Sequence, residues 1–261
     1  MRRDINDYQT RYVQQAFEPW MVRFRKRKIL DILSLHIHDT MLEVGCGLES
    51  IFLEIDSYKR LVVVEPGETF YSKAMADRQT KPGRDITVIQ GLLESVRGML
   101  TEESFDFILL SGMLHEVANP DEILATLYGL CRPDTVVHIN VPNAQSFHRL
   151  LAVEMGLIPN EFQKSELNLQ LQHHTVYDLE RLRAAVTGQG FEVIEHGSYL
   201  IKPFTHAQMQ TLLDSGLMTE RMLEGLYGME KHMPGLGSEI FVNVRKRSVC
   251  CRSDCGGGRN D

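Results

Sequence analysis

The stretch Met41-Leu42-Glu43-Val44-Gly45-Cys46-Gly47 decides the fold, because a short apolar run ends there in Gly-x-Gly. Such a run predicts a buried strand, and the glycines let the backbone turn sharply and approach a ligand with no Cβ in the way. A dinucleotide-binding loop would carry a third glycine three residues on, where this chain has Ser50. We therefore expect a strand and a ligand-binding turn, with neither NAD nor FAD bound.

The next predicted strand also ends in a residue suited to ligand binding, in Val63-Val64-Glu65-Pro66-Gly67. A carboxylate offers two oxygens to two vicinal ribose hydroxyls, and Glu65 follows the glycines at about the spacing of a ribose-binding acid. The alternative is a turn acid that faces solvent. The two elements together favour ribose binding.

Strands and helices alternate along the rest of the chain. We predict the strands Thr40–Val44, Arg60–Val64, Ile86–Gln90, Phe105–Leu110, Val136–Val141, Phe191–Tyr199 and Glu239–Arg245. The helices predicted after the first strand are Ser50–Ser57, Thr69–Arg78, Leu92–Leu100, Pro120–Cys131, Tyr177–Gly190 and a segment from His206 to Met229. This order indicates an α/β, doubly wound, mostly parallel sheet that binds ligands at the carboxyl ends of its strands.

The domain organisation follows from where this alternation starts and stops. Residues 1–37 form an N-terminal cap of two helices, and residues 38–247 form the main domain. Within that domain, residues 144–173 and 203–235 are predicted lid or insertion segments. The Cys- and Gly-rich residues 248–261 are expected to be a disordered tail.

Composition restricts the partners. The 261 residues carry a net charge of −7, which argues against a duplex nucleic acid as partner. The basic run Arg23–Lys28 is interpreted as the solvated face of a helix.

No apolar run suits a signal peptide or a membrane span, and the five cysteines lack zinc-finger spacing. We expect a cytoplasmic protein that acts on a small molecule away from membranes, with a homodimer allowed.

Several of these motifs together resemble those of class I S-adenosylmethionine-dependent methyltransferases. The resemblance is close over residues 38–145 and rests on Glu43–Gly47, Glu65, Gln90-Gly91 and Phe105–Ile108; it extends to about 247 through Val176–Leu179 and Gly190–Val193. It implies a Rossmann-like seven-stranded sheet with an antiparallel last strand, and S-adenosylmethionine as cofactor. The cofactor-binding residues it implies are Tyr12, Glu43, Gly45, Cys46, Gly47, Glu65, Pro66, Gly91, Leu92, Leu93, Ser111 and Gly112. Leu92 stands where many members have an Asp for the adenine.

The acceptor side is predicted from shorter motifs. His115 and Glu116 follow the fourth strand and are candidate proton acceptors. In the alternative, His115 packs under the next helix and Glu116 faces solvent. Asn140–Arg149 resembles a segment of a subgroup that acts on sugars or other small metabolites, as does the histidine before Val176-Tyr177-Asp178.

That resemblance implies an acceptor surrounded by Asn143, His148, His173 and His174, with His174 also a candidate base. Tyr8, one turn before Tyr12 on the N-terminal helix, is a further predicted acceptor contact. Two adjacent histidines could hold a metal, but a third ligand is missing at obvious spacing, so no metal is predicted. A surface pair of histidines is the alternative.

These observations predict methyl transfer to an O or N atom of a sugar or natural-product metabolite. C-methylation of an activated carbon, or cofactor binding without turnover, are the competing hypotheses.

Overall fold

A computed structural model describes residues 5–13, 15–101 and 103–247, except for the side chains of residues 6–9 and 167. Its strands are β1 (Thr40–Val44), β2 (Arg60–Glu65), β3 (Asp85–Gln90), β4 (Phe105–Ser111), β5 (Cys131–Pro142), β6 (Phe191–Tyr199) and β7 (Glu239–Lys246). They form one sheet in the order β3-β2-β1-β4-β5-β7-β6. Only β7 runs antiparallel to its neighbours. The predicted α/β fold is confirmed.

The helices are α1 (Ile5–Val13), α2 (Glu18–Leu33), α3 (Glu68–Arg78), α4 (Leu93–Val96), α5 (Pro120–Leu130), α6 (Phe147–Glu154), α7 (Glu166–Gln170), α8 (Leu179–Gly188), α9 (His206–Asp214) and α10 (Glu220–Gly228). Pro19 lies in the first turn of α2, where its missing N–H costs no hydrogen bond. The predicted helix Ser50–Ser57 is wrong, because only a 3₁₀ turn forms at Ile51–Leu53. The segment from His206 to Met229 holds two helices rather than one; Gly216, with a φ of +74°, follows α9.

Two hydrophobic clusters sandwich the sheet, as the period of two along each strand requires. Val62 and Val64 of β2 belong to one cluster, and Leu61 and Val63 belong to the other. Helix α2 packs Met21, Phe24, Ile29 and Ile32 into the second cluster. The N-terminal cap is thereby fixed to the sheet.

Glu65, Ser111 and Glu239 lie at the same edge of the sheet. Because β6 and β7 are antiparallel, the carboxyl end of β6 reaches the same edge as the start of β7. Glu239 at that start pairs in register with Pro142 of β5 and with Tyr199 of β6. Glu65 and Ser111 end β2 and β4 at this edge.

No helix in the described ranges is long and apolar enough to cross a membrane. The predicted disordered tail, residues 248–261, lies outside the described residues.

Candidate active site

The glycine turn after β1 has the geometry that only glycine adopts readily. Gly45 and Gly47 have φ angles of +76° and +59°, and the Gly45 N–H donates to the Val64 carbonyl at 2.8 Å. A Cβ added to Gly45 would lie 2.7 Å from Sδ of Met113. A Cβ added to Gly47 would meet no atom within 4 Å, so the turn packs against Met113 at Gly45 and faces open space at Gly47.

Glu43, at the base of this turn, is held by the residues that follow the turn. Its carboxylate accepts the Ser50 hydroxyl and, at 3.1 Å, the Ile51 N–H. Ser50 in turn caps the 3₁₀ turn by accepting the Phe52 N–H at 3.4 Å. Burial raises the pKa of Glu43 to about 7, although these hydrogen bonds oppose the shift.

Glu65 points inward and is only 4% exposed, so the solvent-facing alternative is wrong. One carboxylate oxygen accepts the Gly67 N–H at 2.8 Å. The other has only long contacts, with the Gly47 N–H at 3.4 Å and Sγ of Cys46 at 3.7 Å. That second oxygen retains capacity for a ligand hydroxyl. Burial raises the pKa of the Cys46 thiol, which keeps it neutral and unsuited to nucleophilic attack.

A single cavity of about 850 Å³ extends from this turn along the strand ends. It brings together most of the predicted site residues: Tyr12, Glu43, Gly45, Cys46, Gly47, Glu65, Pro66, Ser111, Gly112, His115, Glu116, Asn143, His148 and His173. The Tyr12 hydroxyl donates to Glu18 at 3.0 Å, and its ring meets Phe70 edge-on. The Tyr8 side chain lies outside the described residues.

Four predicted residues do not line this cavity. Gly91, Leu92 and Leu93 follow β3; the Leu93 side chain is buried in the core, and Leu92 is 52% exposed. Only their backbone or the exposed Leu92 surface is available to an adenine, which stays a prediction. His174 is likewise not among the described lining residues.

His115, Glu116 and His173 form a buried cluster in the cavity wall. Nε2 of each histidine lies 3.7 Å from the same Glu116 oxygen, and the two rings meet edge-on at 4.3 Å. Glu116 is 5% exposed, so the solvent-facing alternative is wrong. The backbone N–H of His174 donates to the His115 carbonyl at 2.9 Å. His173 rather than His174 belongs to this cluster, and the role of His174 as a base stays a prediction.

This cluster also bears on metal binding, since its three ligand atoms lie within 4.8 Å of one another. The sequence spacing of the two adjacent histidines did not reveal Glu116 as a third group. However, Oδ1 of Asn168 accepts the Ser165 N–H at 3.0 Å, so its Nδ2 must donate to Nδ1 of His173 at 2.9 Å. The proton of neutral His173 then sits on Nε2, the nitrogen a metal would need. The arrangement suits proton transfer better than metal binding.

A network of buried charges lies in another part of the cavity wall. Arg25 pairs with Glu239 through a bidentate contact, with Nε to Oε2 at 3.0 Å, and with Glu18 at 3.3 Å. Glu239 also accepts the Tyr199 hydroxyl and, at 2.8 Å, the Asn140 amide. The Arg25 guanidinium holds the pKa of Glu239 below its ordinary value against the opposing effect of burial.

The network overturns part of the sequence interpretation. The basic run was predicted to be wholly solvated, yet the Arg25 side chain is only 16% exposed. Met21 and Ile29 lie four residues before and after Arg25, so helical periodicity already indicated the buried face. The long-range partner Glu239 had no such local signal.

Asn143 connects the end of β5 to the segment that precedes β7. Its amide donates to the carbonyls of Gly235 at 2.9 Å and Gly237 at 2.8 Å, and its oxygen accepts the Gln145 N–H at 2.9 Å. Both donor hydrogens are therefore used, and a contact of Asn143 with the acceptor stays a prediction that rests on its amide oxygen.

Comparison with known proteins assigns this site to a class. The model of the family described as "Methyltransferase domain" matches residues 10–196, and the chain belongs to that family. No curated protein matches the chain in sequence. A possible histamine N-methyltransferase of Thermotoga maritima has a similar structure, with 18% identity, a TM-score of 0.59, and coverage of 93% of this chain and 99% of that one.

Two further solved structures are similar. The N-methyltransferase NodS of Bradyrhizobium japonicum has 13% identity and a TM-score of 0.55, with 90% of this chain and 99% of that one covered. The [4+2]-cyclase SpnF has 14% identity and a TM-score of 0.56, with 86% and 80% covered. At these identities the likeness concerns the fold.

The protein is an S-adenosylmethionine-dependent methyltransferase, and the residues at the strand ends fit that cofactor. The turn faces open space of the cavity at Gly47, and Glu65 keeps one oxygen available for a ribose hydroxyl. When bound, S-adenosylmethionine supplies a methyl group already activated by its positive sulfur. The chain itself has to align the acceptor and exclude water.

Proposed function

We propose that the protein transfers a methyl group from S-adenosylmethionine to an O or N atom of a small molecule. The observation that carries this proposal is the cluster of His115, Glu116 and His173 in the same cavity as the Gly45–Gly47 turn. A cavity of about 850 Å³ lies within the usual size range of small-molecule sites. The lid segment contributes Ala152, Ile158 and Leu171 to its wall, which favours an enclosed metabolite over a macromolecule.

The cluster suits the removal of a proton from a hydroxyl or a protonated amine. His115 accepts the proton as the acceptor attacks the methyl group, and the neighbouring Glu116 carboxylate stabilises the imidazolium that forms. His173 lies next to the same Glu116 oxygen, with its Nε2 at 3.7 Å, and packs edge-on against the His115 ring. In this assignment His115 is the base, Glu116 its charge partner and His173 a positioning residue.

Labelled S-adenosylmethionine incubated with a metabolite extract tests the proposal. Mass spectrometry should find a product that gained one methyl group on oxygen or nitrogen. His115→Ala should lower turnover about 100- to 1,000-fold, in line with the usual contribution of a general base. His232→Ala, at an exposed histidine outside the cavity, is the matched control.

The other outcomes are equally informative. A new carbon–methyl bond would support C-methylation, and full turnover in His115→Ala would remove that residue from the mechanism. Tight cofactor binding without any product from a wide set of extracts would support a non-catalytic binding module.

A further inference from the structure

Lys202 is a buried cation in the wall of the cavity. It follows β6, lines the cavity and is 3% exposed. Within residues 5–13, 15–101 and 103–247, no hydrogen bond or ion pair of its ammonium group is found. Leu200, two residues earlier, has a φ of +59°, an unfavourable angle for a branched side chain, and so the backbone is strained where it leads into Lys202.

The nearby acids do not neutralise Lys202. Glu18 and Glu239 lie close enough to raise its pKa, but both are already bound by Arg25. Burial outweighs their effect and lowers the pKa of Lys202 to about 7. An ammonium kept out of water without a direct partner is costly, and that cost falls when an anion binds beside it.

Hydrogen-bond donors surround the same space. His148 of α6 and His206 of α9 line the cavity, and Nδ1 of each is buried without a hydrogen-bond partner in the described part of the chain. Burial, followed by the charge of Lys202, lowers the pKa of both histidines, so they are neutral and can still donate one N–H. Arg149, also in the wall, donates to the carbonyl of Glu161 at 2.9 Å.

The formal charges around Lys202 favour a monoanion. Lys202, Arg25 and Arg149 carry three positive charges, against the two carboxylates of Glu18 and Glu239. One positive charge remains, which matches one carboxylate better than a phosphate dianion. The apolar residues Ala152, Ile158 and Leu171 line the same cavity as Lys202, and they suit a ligand with a hydrocarbon or aromatic body.

We propose that Lys202, assisted by His148 and His206, binds a carboxylate of the methyl acceptor, which is therefore a small monocarboxylic acid with an apolar body. This inference rests on the proposed function. The carboxylate of the cofactor is the competing source of the same anion. The position of Lys202 after β6, four strands from β1 in the sheet, favours the acceptor as the source.

Calorimetry on the protein loaded with S-adenosylhomocysteine tests this inference. The probes are matched pairs of an acid and its amide: phenylacetate with phenylacetamide, and hexanoate with hexanamide. We expect the acids to bind about 10- to 100-fold more tightly than the amides, as a charge-assisted hydrogen bond provides. Lys202→Met should abolish this preference, and Lys202→Arg should retain most of it. Lys231→Met, at an exposed lysine, should leave it unchanged.

The pH dependence supplies a second readout. The charged and titratable groups facing Lys202 are Glu18, Arg25, His148, Arg149, His206 and Glu239. Since the anion needs protonated Lys202, acid affinity should fall as the pH rises above about 7, by up to tenfold per unit. Amide affinity should stay constant.

Each contrary result has its own meaning. Equal binding of acids and amides, no binding of any acid, or an acid preference that survives in Lys202→Met overturns the inference. Phosphate bound as tightly as the acids overturns the choice of a monoacid. Loss of S-adenosylhomocysteine affinity in Lys202→Met alone would assign the anion to the cofactor. Failure of the wild type to bind S-adenosylhomocysteine would instead contradict the proposed function.

Discussion

Two parts of the cavity wall are held together by different kinds of contact. We call the part around Glu43 and Glu65 the cofactor side, and the part around Arg25 and Glu239, where we propose that the acceptor binds, the acceptor side. On the cofactor side, Glu43 and Glu65 are held by groups at most nineteen residues away, such as Ile51, Gly67 and Cys46. On the acceptor side, Glu239 binds Arg25, which is 214 residues away, and Asn140, which is 99 residues away. A local turn therefore organises one side, and the assembled tertiary structure organises the other.

The largest expected effect is on the acceptor side. Glu239→Gln keeps the shape but leaves the buried Arg25 without its main countercharge, so we expect a loss of about 3 to 5 kcal/mol in the free energy of unfolding. The control Glu192→Gln breaks an exposed pair with Arg245 and should cost less than about 1 kcal/mol. Urea unfolding measures both. Equal losses would show that the buried network is no more important than a surface pair.

The two sides should also respond oppositely to pH. Glu43 has its pKa raised from 4.5 to about 7, so its contribution to stability is full below pH 4.5 and is lost as the pH rises through 7. Lys202 has its pKa lowered from 10.5 to about 7, so its contribution is full above pH 10.5 and is lost as the pH falls through 7. Their combined contribution has a minimum near pH 7.

Unfolding of the cofactor-free protein in urea at pH 5, 7 and 9 checks this prediction. Glu43→Gln should flatten only the change between pH 5 and 7, and Lys202→Met only the change between pH 7 and 9. Each change should amount to a few kcal/mol at most. A variant that altered the opposite range would contradict the assignment.

The smallest expected effect is on the cofactor side. Glu65→Gln removes a charged acceptor for ribose hydroxyls, and we expect S-adenosylhomocysteine to bind about 10-fold more weakly, a loss near 1.4 kcal/mol. Glu68→Gln, three residues on and exposed, is the control. Calorimetry measures both affinities. An unchanged affinity in Glu65→Gln would assign the ribose to another group.

The predicted elements show why some features were accessible from the sequence. The strands Thr40–Val44 and Phe191–Tyr199 were predicted with their observed bounds, because an apolar run and its flanking turn residues are local signals. The helix at Ser50–Ser57 was predicted wrongly. Its capping residue starts only a 3₁₀ turn, and composition alone could not exclude further turns.

The same division holds for the site. The sequence by itself determined the glycine turn, Glu65 and the succession of strands along the chain, since each depends on residues close together in the chain. Only the tertiary structure joined His115 and Glu116 to His173, buried Arg25 beside Glu239, and put Lys202 into the same cavity. Those contacts join residues that are far apart in the chain. The order of strands in the sheet and the packing of residues 144–173 bring them together, and local sequence spacing does not encode either.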